Sequence, residues 1–418
     1  MMNKVKNIIL NNFMAIFIVY YCTLFLDTTT LVVDYPIIEI ISKITRYLIY
    51  IIFGIRIIFL LPEYKKDITK VKWSEKKLII KVTYILIIIL FISLVINLII
   101  THTKRMLFLL LLLLATYKTD YKKIMKTIMN LQIILTSILV LLCILGITQN
   151  YSISRGKIIR YSLGFTYTTN LAQMMAFSSI LYIYNVGCNI KFKELFVIQL
   201  LNVFVNFITD SRTEFIMVQA IIIVTIIWKL MKKMKKEKIL KNIQKIYSNI
   251  FTRSFVIYPI ISLIIVMCYP FGGIWNNLNS VLSNRLRQTY NNIEEYGLKP
   301  FGNDVELIGL GIKEKIKYGN YNSNYIDNEY IQMAFREGYV FAISFILLIN
   351  ILLIVLYKRK KYKEIILCSI YLFFGLVNPR IVNVLYCPIL FMFITEIIKY
   401  SEAKEIQEGL NNETKINN

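Results

Sequence analysis

LIIKVTYILIIILFISLVINLII, residues 78–100, is the stretch that decides the fold, because Lys81 is its only charged side chain. A helix needs about 20 mainly apolar residues to cross a bilayer. The stretch follows a loop with many lysines, 62–77, and precedes a short loop, 101–105. It therefore predicts a helix that crosses the membrane between these two loops.

Apolar runs of this kind recur along the chain. Hydrophobic residues are 57% of the 418 residues and charged residues 18%, against about 45–50% and about 25% in soluble domains. This composition excludes an ordinary soluble enzyme, and the aliphatic and aromatic content excludes a disordered basic chain. We predict an all-α polytopic membrane protein with about twelve transmembrane helices, at 7–26, 47–61, 78–100, 106–116, 127–147, 163–184, 195–209, 213–230, 254–270, 337–357, 364–377 and 381–398.

The distribution of positive charge predicts how these helices are oriented. Lys and Arg favour cytoplasmic loops. With the N-terminus inside, the short inner loops carry 26 Lys and Arg and the short outer loops carry seven. We therefore predict a multi-pass protein of the cell membrane with both termini in the cytoplasm. The net charge of +24 is then explained by topology and by contact with membrane lipids, so no nucleic acid is needed as a partner.

One long segment interrupts this series of short loops. Residues 271–336 are rich in Asn, Tyr, Gly and charge, and a loop of this length usually has its own function. Within it, NRLRQTYNNIEEYG reads as a helix that ends at Gly297. We predict four regions: a bundle of nine spans at 1–270, an extracytoplasmic cap at 271–336, three spans at 337–398 and a polar cytoplasmic tail at 399–418.

Arginines on the predicted outer face are the first candidates for a binding site. The planar guanidinium group can hold phosphate oxygens with two hydrogen bonds, so several arginines at one mouth would suit a diphosphate. Contact with lipid headgroups is the alternative for each of them, and a local pair with Asp210 is the alternative for Arg212. The candidates are Arg155, Arg160, Arg212, Arg285, Arg287 and Arg380.

The sixth predicted span is polar for a membrane helix. Thr166, Thr169, Asn170 and Gln173 recur at helical spacing, so we expect them to share one face. That face would bond neighbouring helices or line a groove for a lipid chain or a sugar. A metal site is not expected, because the chain has one His and none of its six Cys form a C-x-x-C pair.

Four segments resemble motifs of the Wzy-type polysaccharide polymerases of capsule and exopolysaccharide pathways, within the O-antigen ligase and polymerase superfamily. RYSLGFTYTTNLA at 160–172 is similar to the family's R-x-S-L-G-F segment, and DSRTEF at 210–215 to its S-R-T/G motif. LSNRLRQTYNNIEEYGLKPFGN at 282–303 resembles an L-S-G-R-L segment followed by Y-G and F-G. IDNEYIQMAFREGYVF at 326–341 resembles a D-N-x-Y segment that leads into a span.

The resemblance implies a GT-C-like bundle and a glycosyltransferase that works at the outer face without a cofactor. Its donor would be a growing glycan on undecaprenyl diphosphate, and its acceptor a lipid-linked repeat unit. A flippase and a chain-length regulator are candidate partners. The arginines would then stabilise the departing diphosphate.

The resemblance also implies roles for other residues of the outer face. A carboxylate could accept the proton of the acceptor hydroxyl. Asp327 is the first choice, because it lies in the D-N-x-Y segment, and Glu337 is the second. Residues expected to line a groove for glycan or lipid are Asn170, Tyr161, Asn328 and Tyr330.

Other functions stay open at this point. A ligase or teichoic-type transferase would share the fold and chemistry but use another acceptor. A flippase or other transporter would suit twelve spans, but such proteins often show internal repeats. A membrane sensor or scaffold would need no outer arginines.

Overall fold

Helices dominate the computed structural model, which describes residues 2–69, 78–155, 157–319 and 321–400. The helices are α1 (Met2–Asn11), α2 (Phe13–Leu26), α3 (Leu31–Asp34), α4 (Pro36–Thr69), α5 (Leu78–Thr101), α6 (Arg105–Ala115), α7 (Tyr121–Ile144), α8 (Asn170–Val186), α9 (Phe192–Thr209), α10 (Arg212–Lys233), α11 (Glu237–Ser254), α12 (Ile257–Met267), α13 (Ile274–Val281), α14 (Arg285–Tyr296), α15 (Ile312–Tyr318), α16 (Glu329–Arg336), α17 (Tyr339–Lys358) and α18 (Tyr362–Phe374). Residues 392–400 are also helical. Residues 401–418 of the predicted tail lie outside the described residues.

Six of these helices are long and apolar enough to cross a membrane: α4, α5, α7, α9, α10 and α17. A seventh span is possible if α11 and α12, which meet at an angle of 53°, are counted as one. α2 and α6 are apolar but shorter. An all-α polytopic membrane protein is thus confirmed, and the count of twelve spans stays a prediction.

The connection between α7 and α8 departs from the predicted pattern in two ways. A short antiparallel hairpin lies within it, with β1 at Ser152–Arg155 and β2 at Ile158–Tyr161. The predicted span 163–184 becomes helical only at Asn170, because Leu163 and Gly164 have φ of 47° and 86°, outside the helical region. The prediction that Thr166 shares a helix face with Asn170 is therefore wrong.

The predicted span 381–398 is also helical only in its second half. α18 ends at Phe374, and the chain up to 388 has no α-helix. Two prolines, Pro379 and Pro388, bound this irregular segment, and proline supplies no backbone N–H for a helix. A continuous span is therefore replaced by a broken one.

The irregular segment lies inside the bundle. The carbonyl of Leu385 accepts the Tyr21 hydroxyl of α2 at 2.6 Å and the Gln132 amide of α7 at 2.9 Å. Backbone without helical hydrogen bonds is tolerated at membrane depth only where the protein satisfies it. These contacts fix the segment and position Arg380 at its start.

The segment 271–336 packs onto the ends of α5 and α17. Asn97 of α5 donates to the carbonyls of Phe301, at 2.7 Å, and Arg336, at 3.0 Å. Gly302 has φ of 92°, and a Cβ there would collide with the Arg336 carbonyl. This close approach requires glycine and fixes α16 beside α5.

Topology can be tested on exposed positions at both predicted faces. Asn291 lies on α14, and Lys236 and Lys360 lie in turns at the other end of the long helices. With 26 basic residues predicted inside and seven outside, a cysteine at Asn291 should react with an impermeant maleimide in intact cells. Cysteines at Lys236 and Lys360 should react only after permeabilisation. Labelling of the Lys236 position in intact cells would contradict the assignment.

Candidate functional site

Charged side chains gather where the first turns of α10, α14 and α16 meet the turn after α18. We call this group the arginine–carboxylate cluster: Glu214, Arg285, Asp327, Glu329 and Arg380. The two arginines act electrostatically on both Glu214 and Asp327, and Arg380 also acts on Glu329. The cluster thus brings together three residues that the sequence predicts as site residues: Arg285, Arg380 and Asp327. It also contains two carboxylates that are not among the predicted site residues, Glu214 and Glu329.

Arg285 is positioned by a tight turn and two contacts. Asn284 precedes it with φ of 65°, and α14 begins at Arg285. Its Nε lies 3.0 Å from Asp327 Oδ2, and its Nη1 donates to the Val377 carbonyl at 2.7 Å. Burial raises the pKa of the Asp327 carboxyl, and the positive charges of Arg285 and Arg380 oppose this shift. Asp327 therefore holds Arg285 in place, and its role as a base stays a prediction.

Arg380 is a cation with unused hydrogen-bonding capacity. Its guanidinium group lies 4.7 Å from the centre of the Tyr386 ring, close enough for a cation–π contact. Its Nε is buried and meets no acceptor among the described residues. A buried donor without a partner is costly, so this one is available to a ligand.

Glu214 joins three parts of the chain. It is 5% exposed in the first turn of α10, and its Oε1 accepts amide groups of Gln173 at 3.3 Å and Asn378 at 3.2 Å. The sequence does contain a signal for it, since an ionisable residue in a predicted span is a functional candidate. Glu214 stands in the DSRTEF motif, two residues after Arg212. The sequence predicts Arg212, and not Glu214, as the site residue of this motif.

Glu329 is the carboxylate with the most unusual surroundings. Its side chain is 0% exposed, Oε2 accepts the Ile381 N–H at 2.8 Å, and Oε1 has no partner in the described part of the chain. Burial raises the pKa of Glu329 to about 7, against the charges of Arg105 and Arg380 and the Ile381 N–H. A group with such a pKa can accept a proton near neutral pH.

Glu337, the second predicted base, lies at the other end of α16. It is buried, and the charges of Arg336 and Arg105 act on it. Glu337 also acts electrostatically on Glu329. The two ends of α16 thus belong to one buried network of charges.

Two of the other predicted arginines lie at the turn between α9 and α10. Arg212 is 66% exposed and its Nε lies 3.4 Å from Asp210, the local pair considered as its alternative. Arg160 donates from Nε to the Thr209 carbonyl at 2.6 Å. Arg212 precedes Glu214 by two residues, and the role of both arginines in diphosphate binding stays a prediction.

Arg287 and Arg155 contribute less to the observed site. Arg287 is exposed on α14, and its backbone N–H donates to Asn279 Oδ1 at 3.0 Å. Arg155 ends β1, and its side chain lies outside the described part of the structure. Neither residue has a described side-chain contact with the cluster.

The residues predicted to line a groove differ in their placement. Asn328 caps α16, accepting the Ile331 N–H, and donates to the Leu376 carbonyl at 3.0 Å. Tyr330 is 4% exposed and donates to the Leu372 carbonyl at 2.7 Å, which leaves no face of its ring open. Asn170 is buried at the start of α8, whereas Tyr161 is exposed at the end of β2. Asn328 and Tyr330 thus attach α16 to α18.

No group of three or more His, Cys, Asp or Glu suited to a metal ion occurs within the described ranges. Comparisons with protein-family models, with curated proteins and with solved structures give no match.

Proposed function

We propose that this chain is an oligosaccharide repeat-unit polymerase. It would transfer a growing glycan from undecaprenyl diphosphate to a lipid-linked repeat unit at the outer face of the cell membrane. In this proposal the bundle has twelve spans with a GT-C-like arrangement and both termini in the cytoplasm. The four motif resemblances and the arginine–carboxylate cluster support it.

The observation that carries the proposal is the buried Nε of Arg380, which meets no acceptor among the described residues and belongs to a guanidinium group that shares Asp327 with Arg285. Burying a cation without full hydrogen bonding costs free energy unless an anion restores it. A lipid diphosphate supplies phosphate oxygens in the geometry that guanidinium groups bind best. An anionic group is therefore the ligand that this arrangement fits.

The proposed reaction places the developing charge next to these arginines. The acceptor hydroxyl oxygen attacks the anomeric carbon of the donor glycan, and the bond from that carbon to the diphosphate oxygen breaks. The electron pair leaves with the diphosphate, where Arg285 and Arg380 stabilise the added charge. The hydroxyl proton passes to a carboxylate.

Glu329 is the base that the geometry favours over Asp327. Asp327 is held 3.0 Å from Arg285, whereas Oε1 of Glu329 has no partner among the residues described. The pKa of Glu329, about 7, also matches a base that works near neutral pH. Glu337 is the second candidate, since it belongs to the same network.

Metal dependence provides a simple check. Because two arginines would neutralise the diphosphate, the purified protein should elongate lipid-linked glycan equally well with and without EDTA. The rate of chain growth measures this, with a Mg²⁺-dependent glycosyltransferase as a positive control for chelation. Activity that disappears in EDTA and returns with Mg²⁺ or Mn²⁺ would contradict binding by arginine alone.

Deletion of the gene tests the proposed function in cells. A polymerase mutant should accumulate single repeat units on undecaprenyl diphosphate at the outer face of the membrane, accessible to an added glycosidase or lectin. Accumulation of these units at the cytoplasmic face would instead indicate a flippase. Unchanged polymer would exclude both functions.

A further inference from the structure

The short helix α13, at the start of the predicted cap, carries an exposed apolar face. Ile274 and Val281 are seven residues apart, or about two helical turns, so they lie on one side of the helix. They are 73% and 78% exposed, and Phe271, in the turn before α13, is 80% exposed. Asn276 and Ser280 are exposed on the opposite side. α13 is therefore amphipathic, and its apolar face is left uncovered by the described part of the chain.

This apolar face continues from the exposed face of α12. α12 lies within the predicted span 254–270, and its exposed apolar residues recur at helical spacing. They are Ile257, Ile260, Ile261, Ile264 and Met267. Such a stripe on a membrane-crossing helix faces the lipid chains. Phe271 and Ile274 extend the exposed stripe beyond the end of α12, so the same hydrocarbon that covers α12 is at hand to cover α13.

The turn and the composition of α13 place it at the boundary between lipid and water. Gly272 and Gly273 have φ of 68° and 58°, which lets the chain change direction between the two helices. The sequence of α13, IWNNLNSV, combines apolar side chains with Trp275, asparagines and a serine. Tryptophan is enriched at membrane–water interfaces, and a helix with one wet and one apolar face lies in the plane of that interface.

α13 is attached firmly to the turn that precedes Arg285. Leu278 packs against the apolar cluster that α12 and α14 share. The buried amide of Asn279 donates to Asn284 Oδ1 at 3.0 Å and accepts the Arg287 N–H at 3.0 Å. The depth at which α13 lies in a membrane therefore also sets the depth of the first turn of α14.

We propose that α13 docks onto the outer leaflet, with Phe271, Ile274 and Val281 among the lipid acyl chains, and so holds the start of α14 at the level of the headgroups. Phospholipid hydrocarbon is the partner, because the face continues the lipid-facing stripe of α12 and residues 268–284 carry no charge. The predicted topology makes this leaflet the outer one. Docking does not depend on the proposed function; together with that function, it brings Arg285 to the depth of a lipid diphosphate.

Fluorescence quenching of the full-length protein in nanodiscs tests this docking. The three tryptophans, Trp73, Trp228 and Trp275, are replaced by phenylalanine, and a single new tryptophan is introduced. Phosphatidylcholine brominated on its acyl chains quenches a tryptophan in hydrocarbon, whereas iodide quenches one in water. Ile274→Trp and Val281→Trp should be quenched by the brominated lipid as strongly as Ile264→Trp on α12, and should be protected from iodide.

Asn276→Trp, on the opposite side of the same helix, is the matched control. It should be quenched by iodide and little affected by brominated lipid, and thermal unfolding of each variant confirms that it folds. The proposal is overturned if Ile274→Trp and Val281→Trp respond to iodide as Asn276→Trp does, because α13 then lies in water. It is also overturned if neither quencher reaches them, because a protein surface, such as a second copy of this chain, then covers the face.

Discussion

Arg285→Ala and Arg380→Ala should each lower the rate of polymer formation roughly 10²–10³-fold. Removing one preorganised charge-assisted donor from a dry site costs about 3–4 kcal/mol of transition-state stabilisation. Arg380 contributes a buried Nε that meets no acceptor in the described ranges, and Arg285 is oriented by Asp327. Polymer synthesis by purified protein on lipid-linked repeat units measures the effect.

Two kinds of control variant distinguish a loss of transition-state stabilisation from misfolding: lysine substitutions at the same positions, and an alanine substitution of an arginine far from the cluster. Arg285→Lys and Arg380→Lys keep the charge but lose the two-pronged contact, so they should recover activity only in part. Arg253→Ala changes an exposed residue of α11 and should remain fully active. Normal rates in both alanine variants, with normal amounts of protein in the membrane, would assign Arg285 and Arg380 to structure alone.

Glu329→Gln should abolish chain growth while it preserves the fold. The pKa of Glu329 is raised to about 7, so the carboxylate that can accept a proton is present above pH 7 and is lost as the pH falls below it. The wild-type rate should therefore rise with pH up to about 7 and then level off. Glutamine resembles the protonated acid in shape, so it should be accommodated in the same buried position.

The comparison of variants identifies the base. Thermal unfolding of Glu329→Gln should match or exceed that of the wild type at pH 8, because the variant removes a buried charge. Asp327→Asn should weaken the effect of Arg285 and lower the rate without removing its dependence on pH. If Glu329→Gln keeps both activity and the pH profile, and Glu337→Gln loses them, Glu337 is the base.

The sequence is sufficient to predict those helices whose structure depends on a local pattern of residues. The apolar run 78–100 becomes α5 at Leu78–Thr101, and the polar run before Gly297 becomes α14, as predicted. Helical periodicity, span length and glycine at a helix end are local properties. They need no knowledge of neighbouring helices.

The sequence predicts helices wrongly where contacts between distant parts of the chain determine the backbone conformation. The predicted span 381–398 is apolar, yet its first part is irregular: Pro379 and Pro388 bound that part, and Tyr21 and Gln132 satisfy the Leu385 carbonyl within it. Thr166 likewise belongs to no helix, since its N–H bonds the Thr28 carbonyl at 2.8 Å. Hydropathy cannot distinguish a buried irregular segment from a helix.

The identity of the proposed base also depends on contacts between distant parts of the chain. Asp327 and Glu329 stand two residues apart in the D-N-E-Y segment, and the sequence gives no reason to prefer the second. Only the folded chain places Asp327 against Arg285 and buries Glu329 within reach of the charge of Arg380. The acidity of a side chain depends on its surroundings and cannot be inferred from its position in a motif.

The most direct measurement reconstitutes the purified protein in vesicles with the lipid-linked repeat units extracted from a deletion strain. The account predicts a ladder of lipid-linked glycans that grows by one repeat unit per step, with one undecaprenyl diphosphate released for each bond formed. No growth of the glycan, from protein that is folded and correctly inserted, would contradict it. Movement of intact units across the membrane without elongation would contradict it as well.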